Sequence, residues 1–200
     1  MGRIVNKKER KPLIVICSEG GKKSSEYYYF RNFATRDLRV QFSTGNSTDP
    51  EGMLQDLLKY ITNEDIKSED NCKVYLLIDT DLDNNRILKI KELESKLKKY
   101  NIELITSAPT FEIWYLMHYR NKNLKFSSSI AVKKEVSKLI GQEYYENMDL
   151  YKKLESRMDY AISTATAIRE KIEKVNEVYI SSNPHTSIPQ IVEYANSKRN

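Results

Sequence analysis

The chain has 200 residues, of which 30% are charged and 40% hydrophobic, and its net charge is +5. These values are ordinary for a soluble globular protein and suit one domain with a substantial core. We find no apolar run that could span a bilayer, no signal peptide, and no disulfide or metal-ligand spacing at Cys17 and Cys72. We therefore expect a cytoplasmic protein without a membrane partner, in which both thiols are reduced.

Basic side chains are frequent within residues 1–11, which we interpret as a basic arm. A solvated terminus and a phosphate-binding arm both remain open for this segment. Residues 12–120 form the predicted core, and residues 121–200 are predicted to be a mostly helical extension packed on it. Together they are expected to form a single structural domain.

Short apolar runs alternate with helical patterns through the core. Strands are predicted at residues 13–17, 38–44, 73–78 and 102–106. The alternation predicts an α/β fold, with a mainly parallel four-stranded sheet that is flanked by helices and has right-handed crossovers. Within the extension, the sequence predicts a short edge strand at 178–180 and a loop at 181–186.

The third predicted strand runs directly into acidic residues. Lys73–Ile78 is a mostly apolar run, typical of a strand buried on both faces, and Asp79, Asp81 and Asp83 follow it. In extended chain Asp79 and Asp81 point the same way, and open α/β sheets bind ligands at the carboxyl ends of strands. Two carboxylates on one side repel each other, so a divalent metal with oxygen ligands is expected. Asp83 either joins this metal site or caps the next helix.

A calcium loop of the EF-hand kind is excluded at this position. Counting from Asp79, the sixth and twelfth residues of such a loop must be Gly and Glu. The chain has Asn84 and Ile90 there instead.

Other polar side chains are candidates for the same site. Glu19 follows the first strand and places a third carboxylate at a strand end, while Lys22 and Lys23, near a helix start, suit a phosphate. Glu112 lies in an otherwise apolar helix, so it belongs to the site or is a buried acid satisfied by a cap or an arginine. His185 lies in a predicted loop, where contact with a substrate and loop capping are both open.

Four stretches, in this order along the chain, resemble the RloB-like family. They are Ile16–Gly20 with Glu26 and Tyr29–Phe30, Leu77–Asp81, Ser107–Tyr119 and Asn183–Ser187. The most specific piece is the Pro-x-Phe-Glu-x-Trp sequence at residues 109–114. The chain departs from the family where a tight Glu-Gly-x-Lys-Thr-Glu run is loosened to Glu-Gly-Gly-Lys-Lys-Ser-Ser-Glu, which ends at Glu26.

The resemblance implies a toprim-like, Rossmannoid fold, which is shared with topoisomerases, bacterial primases and OLD-family nucleases. In toprim proteins a Glu after the first strand and an Asp-x-Asp after the third carry the chemistry, and these match Glu19 and Asp79/Asp81 here. The resemblance also implies phosphoryl transfer on nucleic acid and a role as an effector in bacterial phage defence, often beside an ATPase.

The residues suit the chemistry that this resemblance implies. Mg²⁺ or Mn²⁺ held by carboxylates can activate an attacking oxygen, offset phosphorane charge and stabilise the leaving oxygen. Asp79 and Asp81 are the expected ligands, Glu19 is a further ligand or the general base, and Glu112 is the fourth carboxylate of the site. The sequence therefore predicts a metal-dependent nuclease that acts on DNA or RNA, with tRNA among the candidate substrates.

Two other functions are considered. The alternative is a non-catalytic nucleic-acid-binding or regulatory partner of a defence ATPase, which the presence of Glu19, Asp79 and Asp81 together disfavours. A phosphatase of the haloacid dehalogenase kind also uses Asp-x-Asp, but after its first strand rather than its third. A homo-oligomer is compatible with the sequence.

Overall fold

The computed structural model describes residues 11–67 and 71–199, so all but Lys11 of the predicted basic arm lies outside the described residues. Its strands are β1 (Leu13–Cys17), β2 (Arg39–Phe42), β3 (Cys72–Asp79), β4 (Ile102–Ala108) and β5 (His185–Thr186). Its α-helices are α1 (Ser25–Phe30), α2 (Pro50–Asn63), α3 (Asn84–Lys99), α4 (Ile113–Met117), α5 (Ser129–Ile140), α6 (Tyr151–Leu154), α7 (Met158–Lys174) and α8 (Pro189–Ser197).

The sheet has the strand order β2-β1-β3-β4-β5, and its first four strands are parallel. This arrangement confirms the predicted α/β fold with a mainly parallel sheet. The strand β2 lies on one side of β1, and β3 lies on the other side, followed by β4 and β5. The carboxyl ends of β1 and β3 therefore flank the point where the strand order reverses, which is where ligands bind in open α/β sheets.

Each strand contributes alternate side chains to two apolar layers. The layer against α2 and α3 takes Leu13, Val15, Leu76 and Ile78 from β1 and β3. The opposite layer takes Ile14, Ile16, Tyr75 and Leu77, together with residues of α1, α4, α5, α7 and α8. The helices beyond residue 120 thus pack on one face of the sheet, and a single apolar cluster joins them to the strands.

The predicted four-stranded sheet has a fifth strand. The edge strand predicted at 178–180 is wrong, because Tyr179–Ser181 forms a 3₁₀ turn. The predicted loop at 181–186 instead contains β5, which pairs antiparallel with the end of β4 at Ser107 and Ala108. Two residues are too few to show the alternating pattern by which a strand is recognised from sequence.

His185 lies in β5 and is fully buried, not in a substrate-facing loop. Its Nδ1 donates to the Ser182 carbonyl at 2.8 Å, so in the neutral ring Nε2 accepts from the Thr106 hydroxyl at 2.9 Å. Burial lowers the pKa of His185 to about 4, which keeps the ring neutral. Nε2 therefore links β5 to β4, and Nδ1 links β5 to the segment that precedes it.

No helix within the described ranges has the length and apolar character that are needed to cross a lipid bilayer.

Candidate functional site

The site lies at the carboxyl ends of β1, β3 and β4. Asp79 is the last residue of β3, and the chain turns immediately afterwards, with left-handed φ values of 49° at Asp81 and 59° at Leu82. The turn is fixed to the loop after β4 by main-chain hydrogen bonds from Thr80 to Ser107 and from Asp81 to Pro109. These bonds bring the segment that carries Glu112 beside the end of β3.

Three carboxyl groups come together on one side of this turn: Glu26 in the first turn of α1, Asp79, and Glu112. Thr110 connects two of them, since its hydroxyl oxygen lies 2.8 Å from Asp79 Oδ2 and 2.7 Å from Glu112 Oε2. Glu112 and Glu26 are buried, with 2% and 8% of their surface exposed. We call Glu26, Asp79 and Glu112 the buried carboxyl cluster.

The hydroxyl groups around this cluster have fewer protons than contacts. Thr110 has one hydroxyl proton for two carboxyl groups. Glu112 Oε1 lies 2.7 Å from Ser25 Oγ and 3.1 Å from Tyr144 OH, and these two hydroxyl oxygens lie 2.6 Å apart, so two protons serve three contacts. The carboxyl groups are therefore incompletely provided with hydrogen-bond donors.

The pKa values agree with this count. Burial raises the pKa of Asp79 well above its usual range, and the charges of Glu26 and Glu112 raise it further. Burial and the charge of Glu112 raise the pKa of Glu26 to about 7. Carboxyl groups that resist ionisation in this way need either a proton or a cation between them.

A second group of acids faces a fixed arginine. Arg86 Nη2 pairs with Glu19 Oε1, and Arg86 Nε lies 4.0 Å from Asp81 Oδ2. The same guanidinium donates to two main-chain carbonyls, those of Asp79 at 2.6 Å and Thr48 at 2.9 Å. Arg86 is anchored at several points and neutralises Glu19, so the predicted set of Glu19, Asp79 and Asp81 is divided between two environments.

The predicted metal ligands do not form a ready-made coordination sphere. Among residues 11–67 and 71–199, no group of three or more His, Cys, Asp or Glu side chains is arranged to hold a metal ion. Asp83 takes the alternative role, because its Oδ1 caps α3 by accepting from the Arg86 main-chain N–H at 2.7 Å. Asp81 accepts from Ser129 Oγ at 2.6 Å, which attaches the start of α5 to the site.

The chemistry of the buried carboxyl cluster nevertheless fits a divalent cation. Its donors are carboxyl oxygens, which hard cations such as Mg²⁺ prefer. One ammonium group, that of Lys133, has its pKa raised by the charges of Glu112 and Asp79, and it pairs with Glu146 at 2.5 Å. A cation among these carboxyl groups would relieve the repulsion that, together with burial, raises the pKa of Asp79 and Glu26.

The two predicted phosphate-binding lysines lie close to this edge of the sheet. Lys22 and Lys23 are exposed in the 3₁₀ turn Gly21–Lys23, directly before α1. Gly20 and Gly21 adopt left-handed conformations there, with φ values of 71° and 53°, which glycine tolerates without strain. The predicted role of these lysines in binding phosphate stays a prediction.

Sequence reasoning missed Arg86 and gave Glu26 no role. Arg86 carried no signal, because it is one of 33 lysine and arginine residues and its partners come from distant segments. Glu26 did carry one, since it follows the first strand within the helix start and matches the second Glu of the family run. Glu112 was expected at the site, and the structure places it in the buried carboxyl cluster.

Comparison with known proteins agrees with the resemblance in sequence. Searches of curated proteins and of solved structures found no match. The family described as RloB-like protein matches residues 14–194, a span that includes all the acids described above and every strand except the first residue of β1. The chain therefore belongs to the RloB-like family.

Proposed function

We propose that this protein is a metal-dependent nuclease, which hydrolyses phosphodiester bonds of DNA or RNA and acts as an effector in bacterial phage defence. The observation that supports it most directly is the buried carboxyl cluster at the carboxyl ends of parallel strands, with more negative charge than its neighbours compensate. A toprim-like fold related to that of OLD-family nucleases is part of the proposal.

Mg²⁺ or Mn²⁺, when bound, would supply Lewis acidity toward a phosphate oxygen and an activated water. Asp79 and Glu112 would hold the ion, with Glu26 beside them. Thr110 fixes the orientation of the first two carboxyl groups, since its hydroxyl contacts both. Ser25 and Tyr144 hold the other oxygen of Glu112, so this side chain is oriented by hydroxyl groups on both sides.

The second acid group has a different task in this proposal. Arg86 pairs with Glu19 and approaches Asp81, so its guanidinium fixes the positions of both acids beside the cluster. Glu19 would accept a proton from the attacking water, and Lys22 and Lys23 would contact flanking phosphates.

A non-catalytic role, as a nucleic-acid-binding or regulatory partner of an ATPase, is the second candidate. Two observations favour it: Glu19 is already paired with Arg86, and the described residues contain no preformed metal-binding group. In that case the carboxyl cluster would remain protonated and would serve only the packing of α1, α4 and α5.

Incubation with plasmid, single-stranded DNA and tRNA, in Mg²⁺, in Mn²⁺ and in chelator, tests the proposal. Wild type should cleave at least one substrate with metal, and Asp79→Asn should not. Asp37→Asn, a change of the same kind at an exposed position, is the matched control. Calorimetric titration with Mn²⁺ provides a readout that does not depend on activity. If the protein neither binds the metal nor cleaves any substrate, but still binds nucleic acid, the result supports the second candidate.

A further inference from the structure

A cleft of about 680 Å³ lies outside the buried carboxyl cluster. Its walls are the loop 121–125, the carboxyl-terminal half of α7 with the residues that follow it to Glu177, and the segment 182–184 before β5. Its volume is within the range of sites that bind small molecules and cofactors.

The charge around this cleft is positive. Lys122, Lys125 and Lys171 line it, and none of them pairs with an acid in the described part of the chain. The one acid among its lining residues is Glu177, whose carboxylate accepts from Ser182 Oγ at 3.2 Å. Three ammonium groups against one carboxylate favour an anionic ligand.

Apolar and amide side chains both line the cleft, and Val175 among them is 58% exposed. The apolar lining residues are Leu124, Ile168, Ile172, Val175 and Pro184. Apolar side chains beside three lysines suit a ligand that carries both an apolar face and a negative charge, as a nucleotide does.

The cleft is structurally connected to the carboxylates. Asn183 Nδ2 donates to the Phe126 carbonyl at 2.7 Å and so fixes the loop against the segment before β5. Ser129 lies three residues after Phe126, and its Oγ donates to Asp81 Oδ1 at 2.6 Å. Lys125 and Ser129 are four residues apart, so their Cα atoms are separated by at most about 14 Å. A strand held in the cleft can therefore extend to the site.

We propose that this cleft binds an unpaired nucleotide of a single-stranded nucleic acid. The base contacts the apolar lining of the cleft at Val175, and the adjoining phosphates contact the three lysines. The strand then passes along residues 125–129 toward Asp81. The reason for the strand to reach the carboxylates rests on the proposed nuclease function. Binding in the cleft is measured without catalysis. Paired bases are stacked within a duplex and cannot enter, so the substrate class is single-stranded or locally unpaired nucleic acid.

Fluorescence anisotropy with labelled 12-nucleotide DNA and RNA, in chelator so that no cleavage occurs, tests the proposal. The cleft variant combines Lys122→Ala, Lys125→Ala and Lys171→Ala. The control variant removes the same charge from exposed lysines on other surfaces, by Lys59→Ala, Lys99→Ala and Lys134→Ala. We expect the cleft variant to bind about tenfold more weakly, with a salt slope smaller by about 2, and the control variant to bind nearly as wild type. Equal loss in both variants would overturn the proposal.

A second variant tests the contact with the base. Val175→Ser removes apolar surface at an exposed position and keeps the charge, so it should fold. It should weaken binding of the intact oligonucleotide and leave binding of an abasic oligonucleotide unchanged. A duplex should bind more weakly than either strand. If a fluorescently labelled nucleoside monophosphate binds at micromolar concentration and oligonucleotides do not bind, the cleft is a mononucleotide site and the proposal is wrong. Because chelator is present throughout, these outcomes do not depend on whether the protein cleaves.

Discussion

Replacement of Glu26 by Gln should change how the stability of this protein depends on pH. Glu26 is buried beside Asp79 and Glu112, and burial together with the charge of Glu112 raises its pKa from 4.5 to about 7. A carboxyl group whose pKa is raised on folding binds its proton more tightly in the native state than in the unfolded state. Its contribution to stability is complete below pH 4.5 and is lost as the pH rises through about 7.

The size of the effect follows from the shift in pKa. Each unit corresponds to about 1.4 kcal/mol, so the full shift is worth at most about 3 kcal/mol. About 2 kcal/mol of this falls between pH 5.5 and 8.5, a window that avoids acid unfolding. His118 and His185 act in the opposite direction, because burial lowers the pKa of each to about 4. The difference between variant and wild type removes their contribution.

The assay is urea unfolding at a series of pH values in the absence of divalent ions. Wild type should lose up to about 2 kcal/mol more than Glu26→Gln does between pH 5.5 and 8.5. Glu94→Gln, at an exposed position on α3, is the matched control and should follow wild type. If Glu26→Gln and wild type show the same pH dependence, Glu26 is ionised in the native state and the reasoning on the cluster is wrong.

Three further predictions concern the two acid groups and β5. At pH 8 a divalent ion at 100 times its dissociation constant should stabilise wild type by about 2.7 kcal/mol and should not stabilise Asp79→Asn, as measured by thermal unfolding. Arg86→Met should destabilise the protein by about 1 to 3 kcal/mol, because the partly buried Glu19 loses its partner, and a double-mutant cycle with Glu19→Gln should recover part of the loss. Additive effects would show that the pair does not interact. His185→Phe should cost about 2 kcal/mol, since a buried carbonyl and a hydroxyl lose their partner, and should leave cleavage per folded molecule unchanged. A loss of cleavage per folded molecule would show that His185 contributes to the site.

The strands and most helices could be predicted because their signals are local. The apolar runs of β1, β3 and β4 and the helical spacing of α2 and α3 appear in the chain as they appear in the fold. The strand β5 could not be predicted in this way. It has two residues and follows turn-forming sequence, and its pairing depends on where β4 ends.

The geometry of the acids could not be predicted because one local assumption fails. Asp79 and Asp81 were expected on one side of an extended chain, but the strand ends at Asp79 and Asp81 has a φ of 49°. The alternation of side chains applies only within the strand, so the turn separates the two carboxylates. Asp79 joins residues that are close in space but distant in sequence, and Asp81 turns toward Arg86 and Ser129.

The division of the acids into two groups explains why proton and metal binding should be coupled in this site. Arg86 already neutralises Glu19, so an ion would gain little binding energy from Glu19, whereas burial and neighbouring carboxylates raise the pKa values of Asp79 and Glu26. An ion that binds the buried carboxyl cluster must displace the protons that these raised pKa values retain, and its apparent affinity should therefore rise with pH through the raised pKa of Glu26. The same repulsion thus destabilises the ion-free protein at high pH and favours the ion-bound one. One arrangement of charges accounts for both the expected effect of Glu26→Gln and the expected stabilisation by a divalent ion.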